Sequence, residues 1–184
     1  METSPPPSSS YRLTIIDVQE RLLPVMRDSE SLLVKLGQLI RGASLLGWPR
    51  AATEQYPKGL GPTVSVLKQE PGLQTATSWF EKTAFSCLGA EGFSAWAQAG
   101  GRVVLAGIET HVCVAQTARD LLRLGCHVDL VADAVRSRNE EDRHWALLGL
   151  AAEGVRIVTT EMILFESLGN AKDPRFKELS KIIK

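Results

Sequence analysis

The 184-residue chain is short of cysteine: Cys87, Cys113 and Cys126 are its only three. An odd count of widely spaced thiols excludes a disulfide framework and any CxxC redox or metal motif, and reduced cysteines fit a cytoplasmic protein. Net charge is also lacking. Lys plus Arg and Asp plus Glu number 21 each, for a formal net charge of +0. With no Lys/Arg run, this balance predicts neither a nucleic-acid partner nor an anionic membrane surface, both of which need a concentrated basic face. No apolar run approaches the ~20 residues of a membrane span. There is no internal repeat and no sign of a second domain boundary, so one domain is expected.

What is present is a strict alternation of element types. The opening METSPPPSSS has neither a positive n-region nor an apolar h-region. It reads as a flexible tail over residues 1–10 rather than a signal peptide. YRLTIIDVQ then reads as a strand ending at Asp17, and Ser29 to about Trp48 repeats apolar residues at helical spacing until Gly47 and Pro49 stop it. RAATE is a short strand. QYPKGLGPT is loop, and a long connection, with a helical turn near Val64–Lys68, runs to Phe80. The second half is more regular. Helices are expected at Gly92–Ala99, Val112–Leu124 and Glu140–Glu153, the last capped by Asn139, with strands at Arg102–Ile108, His127–Ala132 and Arg156–Val158. The C-terminal residues read as helix. Strands 103–106 and 128–132 are continuously apolar, as strands covered on both faces must be. The fold class is therefore α/β, with a parallel sheet between helices over residues 11–184.

In such sheets ligands sit beyond the carboxyl ends of strands, so reactive residues that follow strands are the candidates. Asp17 closes the first strand, either as a turn cap or as a site residue. Cys113 follows RVVLAGI at the start of a helix, where unpaired N–H groups favour a thiolate and can hold an oxyanion. This position predicts a depressed thiol pKa, although a buried packing cysteine is the other reading. Lys82, in FEKTAFSC, is either a snorkelling surface lysine or a charge held for a purpose.

Taken together, IIDVQ with Asp17, EKTAFS with Lys82, LAGIETHVCV with Cys113 and the following AQTARD resemble the isochorismatase-like cysteine hydrolases. These include nicotinamidases and N-carbamoylsarcosine amidohydrolases. The resemblance implies a single-domain three-layer α/β/α sandwich around a six-stranded, mostly parallel sheet, with Asp17, Lys82 and Cys113 as catalytic triad. It also implies a cis peptide at Ile108–Glu109 and an oxyanion hole from the N–H groups of Glu109 and Cys113. Whether the Glu109 carboxylate faces the pocket or only caps is left open.

The chain departs from nicotinamidases in the loop after the second strand. Glu54-Gln55-Tyr56-Pro57-Lys58-Gly59 has no histidine to combine with carboxylates around Zn or Fe, so neither a metal nor any other cofactor is expected. Gln55, Tyr56, Trp79 and Phe85 flank the site segments as candidate substrate-lining residues, with Trp79 and Phe85 open to a core role instead. The implied reaction is cleavage of a small amide, imide or carbamoyl C–N bond through a thioester. Two other classes remain open: a binding or assembly module on the same fold, and a thiol redox protein in which a second cysteine resolves an oxidised Cys113. A small-molecule substrate and a homo-oligomer are the expected partners, with the apolar stretch MILFESL as a candidate interface.

Overall fold

The computed structural model describes residues 11–75 and 77–184. The tail expected over residues 1–10 lies outside them. Six strands form one sheet: β1 (Tyr11–Ile16), β2 (Arg50–Gln55), β3 (Thr77–Lys82), β4 (Arg102–Ile108), β5 (Val128–Arg136) and β6 (Arg156–Val158). Their order is β3-β2-β1-β4-β5-β6 and every neighbouring pair is parallel. The chain builds outward from β1 in one direction and from β4 in the other. The crevice between the carboxyl ends of β1 and β4 is thus the point where strand order reverses.

The helices are α1 (Ser29–Leu45), three short ones, α2 (Pro57–Leu60), α3 (Ser65–Lys68) and α4 (Pro71–Gln74), then α5 (Phe93–Gln98), α6 (Ala115–Arg123), α7 (Glu140–Ala152), α8 (Thr160–Leu168) and α9 (Phe176–Ile183). Side chains alternate across a strand, so each strand feeds two cores. Leu13 and Ile15 of β1 join Val104 and Ala106 of β4 beneath Leu32, Leu36, Leu39 and Ile40 of α1. Ile16, Val103 and Leu105 point the other way, to Phe93 of α5, Ala118 and Leu121 of α6 and Leu150 of α7. The result is a three-layer sandwich in a single domain.

Three expectations need correction. The long connection ending at Phe80 holds α2, α3, α4 and a whole strand. β3 has buried partners on one edge only and keeps Trp79 and Glu81 exposed, so it lacks the apolar signature of an inner strand. The helix expected at Val112 starts instead with a wide turn at Thr110–Val114 that continues into α6. MILFESL is no free surface: Ile163, Leu164 and Leu168 are buried in the α1-side core, and only Met162 is exposed among its large apolar residues. The Asn139 side chain does cap α7, accepting from the Glu141 N–H.

One glycine sets the geometry near the crevice. Gly107 pairs with Ile16 and has φ +116, and a Cβ there would lie 2.2 Å from the Ile16 carbonyl oxygen. Only glycine lets β4 run this close to β1 immediately before the segments that carry Asp17 and Cys113.

Candidate active site

Asp17 follows the last residue of β1 in a left-handed backbone conformation, φ 53. Asp tolerates this region better than most residues, and such conformations gather where side chains must be aimed. Its carboxylate is fully buried. Thr53 Oγ1 donates to Oδ1 at 2.7 Å and Lys82 Nζ donates to Oδ2 at 2.6 Å.

Lys82 closes β3, and its side chain is as inaccessible as that of Asp17. A buried ammonium is costly unless paired and hydrogen-bonded throughout. Here its three protons are all used, by Asp17 Oδ2, by Gln55 Oε1 at 2.7 Å and by the Phe85 carbonyl at 3.0 Å. The snorkelling reading is overturned. Gln55 is itself held: its Nε2 donates to the Thr83 carbonyl at 2.6 Å, and its backbone exchanges hydrogen bonds with the Gln19 amide at 2.8 and 3.0 Å.

Cys113 sits in the wide turn after β4, 7% exposed. The turn closes with the Val114 N–H donating to the Glu109 carbonyl at 3.2 Å. The Cys113 N–H comes before that closure, among the groups a helix start leaves without a partner in its own turn. The Ile108–Glu109 peptide is cis.

The thiol does not have the depressed pKa that its position suggested. It is pushed up to about 12, first by burial and then by the negative charge of Asp17; Lys82 opposes them without prevailing. Helix-start N–H groups are weaker than a neighbouring full charge in a dry setting. Cys87, fully buried, is likewise pushed up to about 12 by burial and then by Asp17.

A cavity of about 110 Å³ opens over Cys113, lined by Leu22, Leu60, Phe85 and Val112 with Gln55 and Glu109. Gln55 and Phe85 therefore border the thiol, and Phe85, 53% exposed, is not core. Tyr56 borders a neighbouring open recess with Lys58, Glu81, Lys82 and Thr83. Trp79 lies on a groove with Glu54 and Lys68, its ring 5.4 Å from the Lys68 ammonium. Glu109 turns its carboxylate onto Arg138, accepting from the backbone N–H at 3.0 Å and from Nε at 3.1 Å. Among the described residues, no group of three or more His, Cys, Asp or Glu side chains is arranged to hold a metal ion.

The Isochorismatase domain family matches residues 12–162. The chain belongs to this family. Isochorismatase domain-containing protein 1 of Salmo salar is 44% identical over 170 residues, which cover 91% of this chain and 59% of the salmon protein. The chain thus spans well under two thirds of that relative's length. Isochorismatase domain-containing protein 2 of Danio rerio is 40% identical over 173 residues, 93% of this chain and 85% of the fish protein. Among solved structures, the MAR1 ribonuclease of Caenorhabditis elegans superposes with a TM-score of 0.91 at 37% identity, covering 97% of this chain and 91% of the worm chain.

Within this isochorismatase-like site, sequence reasoning passed over Thr53, Gln19 and Thr117. Thr53 holds Asp17, Gln19 fixes Gln55, and Thr117 Oγ1 donates to the Cys113 carbonyl at 2.7 Å while accepting the Cys87 N–H at 3.0 Å. The available signals were small: a threonine inside the strand RAATE, and a glutamine two residues past Asp17.

Proposed function

We propose that the chain is a cysteine hydrolase of small amide, imide or carbamoyl C–N bonds, with Cys113 as nucleophile, Asp17 as proton carrier and Lys82 as the positive charge paired with Asp17. The observation that carries this reading is the buried Asp17 carboxylate, which is paired with the Lys82 ammonium and whose negative charge acts on the Cys113 thiol, itself part of the lining of a cavity. A thiol held protonated by its surroundings attacks only as its proton leaves. The Cys113 proton therefore passes to Asp17 while Sγ bonds to the carbonyl carbon. The oxygen takes the C=O electron pair and is held by the N–H groups of Glu109 and Cys113. Collapse expels the amine, which receives the proton from Asp17 and leaves a thioester. Water, deprotonated by Asp17, then attacks the acyl carbon, and the thiol departs with a proton. No cofactor enters any step.

A cavity of about 110 Å³ and the 21-to-21 charge balance support a small molecule over a nucleic acid as substrate. No helix among the described residues is long and apolar enough to cross a membrane, and three unpaired thiols support a reducing compartment such as the cytoplasm. Exposed Trp145 and Leu148 on α7 support contact with a second copy of the chain.

The test is ammonia release from a panel of small amides, with mass spectrometry of the quenched enzyme. The expected result is an acyl adduct on Cys113 and turnover lost on Cys113→Ala, by on the order of 10⁶-fold at the limit. Turnover that survives Cys113→Ala would dismiss the mechanism.

A further inference from the structure

The lining of the Cys113 cavity also says what kind of acyl group it can take. Its walls are Leu22, Leu60, Phe85 and Val112. Lys82, the cation bound to Gln55 of the lining, has all three protons committed and no accessible side-chain surface. The acid on the lining, Glu109, is neutralised by Arg138, whose side chain is 63% exposed at the surface. Gln55, the remaining polar residue on the wall, spends its amide oxygen on Lys82 and its amide nitrogen on the Thr83 carbonyl. A charged substituent on the acyl part loses its water and meets no free side-chain partner, and the Glu109 and Cys113 N–H groups are taken by the acyl oxygen, which is the costly outcome for an ion. An apolar chain displaces water from apolar walls, which is favourable.

We infer that this site is selective for substrates whose acyl part is short, apolar and uncharged, and that it rejects carboxylate-bearing analogues of the same shape. The inference deepens the hydrolase reading and concerns the same cavity, but it can be tested without turnover.

Iodoacetamide and iodoacetate differ by a neutral amide against a carboxylate, and both alkylate a thiol. The Sγ–C bond forms, iodide leaves with the C–I electron pair, and the thiol proton passes through Asp17 to water. The rate at Cys113 is followed site by site by peptide mass across alkaline pH, with a small free thiol as reference. The expected result is a preference for iodoacetamide at least tenfold greater than the free thiol shows. A preference equal to that of the free thiol overturns the inference, as does a preference for iodoacetate. Leu60→Lys places an ammonium on the wall and should draw the ratio back toward the free-thiol value. An unchanged ratio in that variant would show that the lining is not the cause.

Amide hydrolysis separates the two readings. Isocaproamide should be cleaved and succinamate, its anionic isostere, at least tenfold more slowly. Equal cleavage of both would overturn the selectivity and leave the hydrolase. Cleavage of neither, with the alkylation preference intact, would overturn the hydrolase and leave the selectivity. A Cys113 that neither iodo reagent modifies overturns both.

Discussion

Asp17 and Asp129 are both fully buried carboxylates held by cations, one beyond the carboxyl end of β1 and the other near the amino end of β5. Asp129 takes four hydrogen bonds, from Arg102 at 2.8 and 2.5 Å and from Arg156 at 2.9 and 2.9 Å. Burial alone would raise its pKa, but the two guanidinium groups outweigh burial and hold it below the ordinary carboxylate range. Its acceptor sites are filled, and no nucleophile is among its partners. Asp17 takes one hydrogen bond on each oxygen, from Thr53 and Lys82, keeps acceptor capacity on both, and its charge acts on the Cys113 thiol. A compact ammonium makes this difference. It can balance the charge of Asp17 without covering both oxygens, whereas two forked guanidinium groups cover everything. The amino-end cluster ties strands β4, β5 and β6 together; the carboxyl-end cluster leaves Asp17 acceptor capacity for the proton transfer we propose.

The sharpest way to break this contrast is to neutralise each carboxylate in turn. Asp17→Asn should lower kcat by about 10²–10⁴-fold and, by stranding the Lys82 charge, cost about 3–5 kcal/mol of stability. Asp129→Asn should cost about 3 kcal/mol, the low end of that range, because the side chains of Arg102 and Arg156 are 25% and 35% exposed and water can partly serve them. Its kcat per folded molecule, from activity corrected by circular dichroism, should be unchanged. A specific loss of turnover in Asp129→Asn would erase the distinction.

A weaker effect follows from the two thiols at the carboxyl end, Cys87 and Cys113; the third, Cys126, lies just before β5 at the amino end. Cys87 and Cys113 are each pushed up to about 12, above an ordinary thiol. Their protonated forms are therefore favoured in the fold, and that stabilisation is complete below the unfolded thiol value. It is lost as pH rises from about 9 toward 12, where the unfolded chain has released the protons and the native protein has not. Urea unfolding across this window should show stability falling, with Cys87→Ala removing up to ~1.4 kcal/mol per pH unit from the slope. A slope identical in the variant would mean that Cys87 is not shielded as its burial requires.

The two ends also differed in how far they could be read from sequence. Asp17 was legible because a carboxylate closing TII is out of place in an apolar strand, and Cys113 because it follows RVVLAGI. Lys82 was ambiguous because its strand lies at the edge of the sheet. β3 carries Trp79 and Glu81 outward, so neither period 2 nor an apolar run marked it, and the lysine had no strand to end. The raised thiol pKa was misread for a different reason. A helix start is visible in sequence, while the depth of burial and the nearness of Asp17 depend on how β1, β3 and β4 stack in space. The amino-end cluster went unread altogether, since Arg102, Asp129 and Arg156 are far apart in the chain and each resembles a solvated charge at a strand start. Of the candidate lining residues, Gln55 and Phe85 border the cavity over Cys113, while Tyr56 (φ 37) lines an adjoining recess that reaches Lys82, and Trp79 lines a groove beyond it.

The finest comparison uses one hydroxyl at each end. Thr53 Oγ1 donates to Asp17 at 2.7 Å, and Tyr11 Oη donates to Glu166 at 2.8 Å, Glu166 being the acid that also receives Arg156 at 2.6 Å. Thr53→Val and Tyr11→Phe each delete a hydroxyl while nearly keeping shape, so packing terms are small and the loss is that of a hydrogen bond to a charged group, about 1.5–3 kcal/mol. Tyr11 should fall at the lower end, because Arg156 still serves Glu166, and its ring stays stacked on Trp48 at 4.9 Å. Thr53 should fall higher, because Asp17 is fully buried and no water can replace the donor. Stability alone would not separate a tie from a working group. Turnover does: Thr53→Val frees one carboxylate oxygen to rotate away from the thiol, and misplacement of a proton carrier lowers kcat by on the order of tenfold. Tyr11→Phe has no route to the thiol and should leave kcat and KM unchanged. Denaturant midpoints paired with steady-state kinetics read both quantities on the same preparations. Equal kinetic effects from the two variants would place the working carboxylate somewhere other than Asp17.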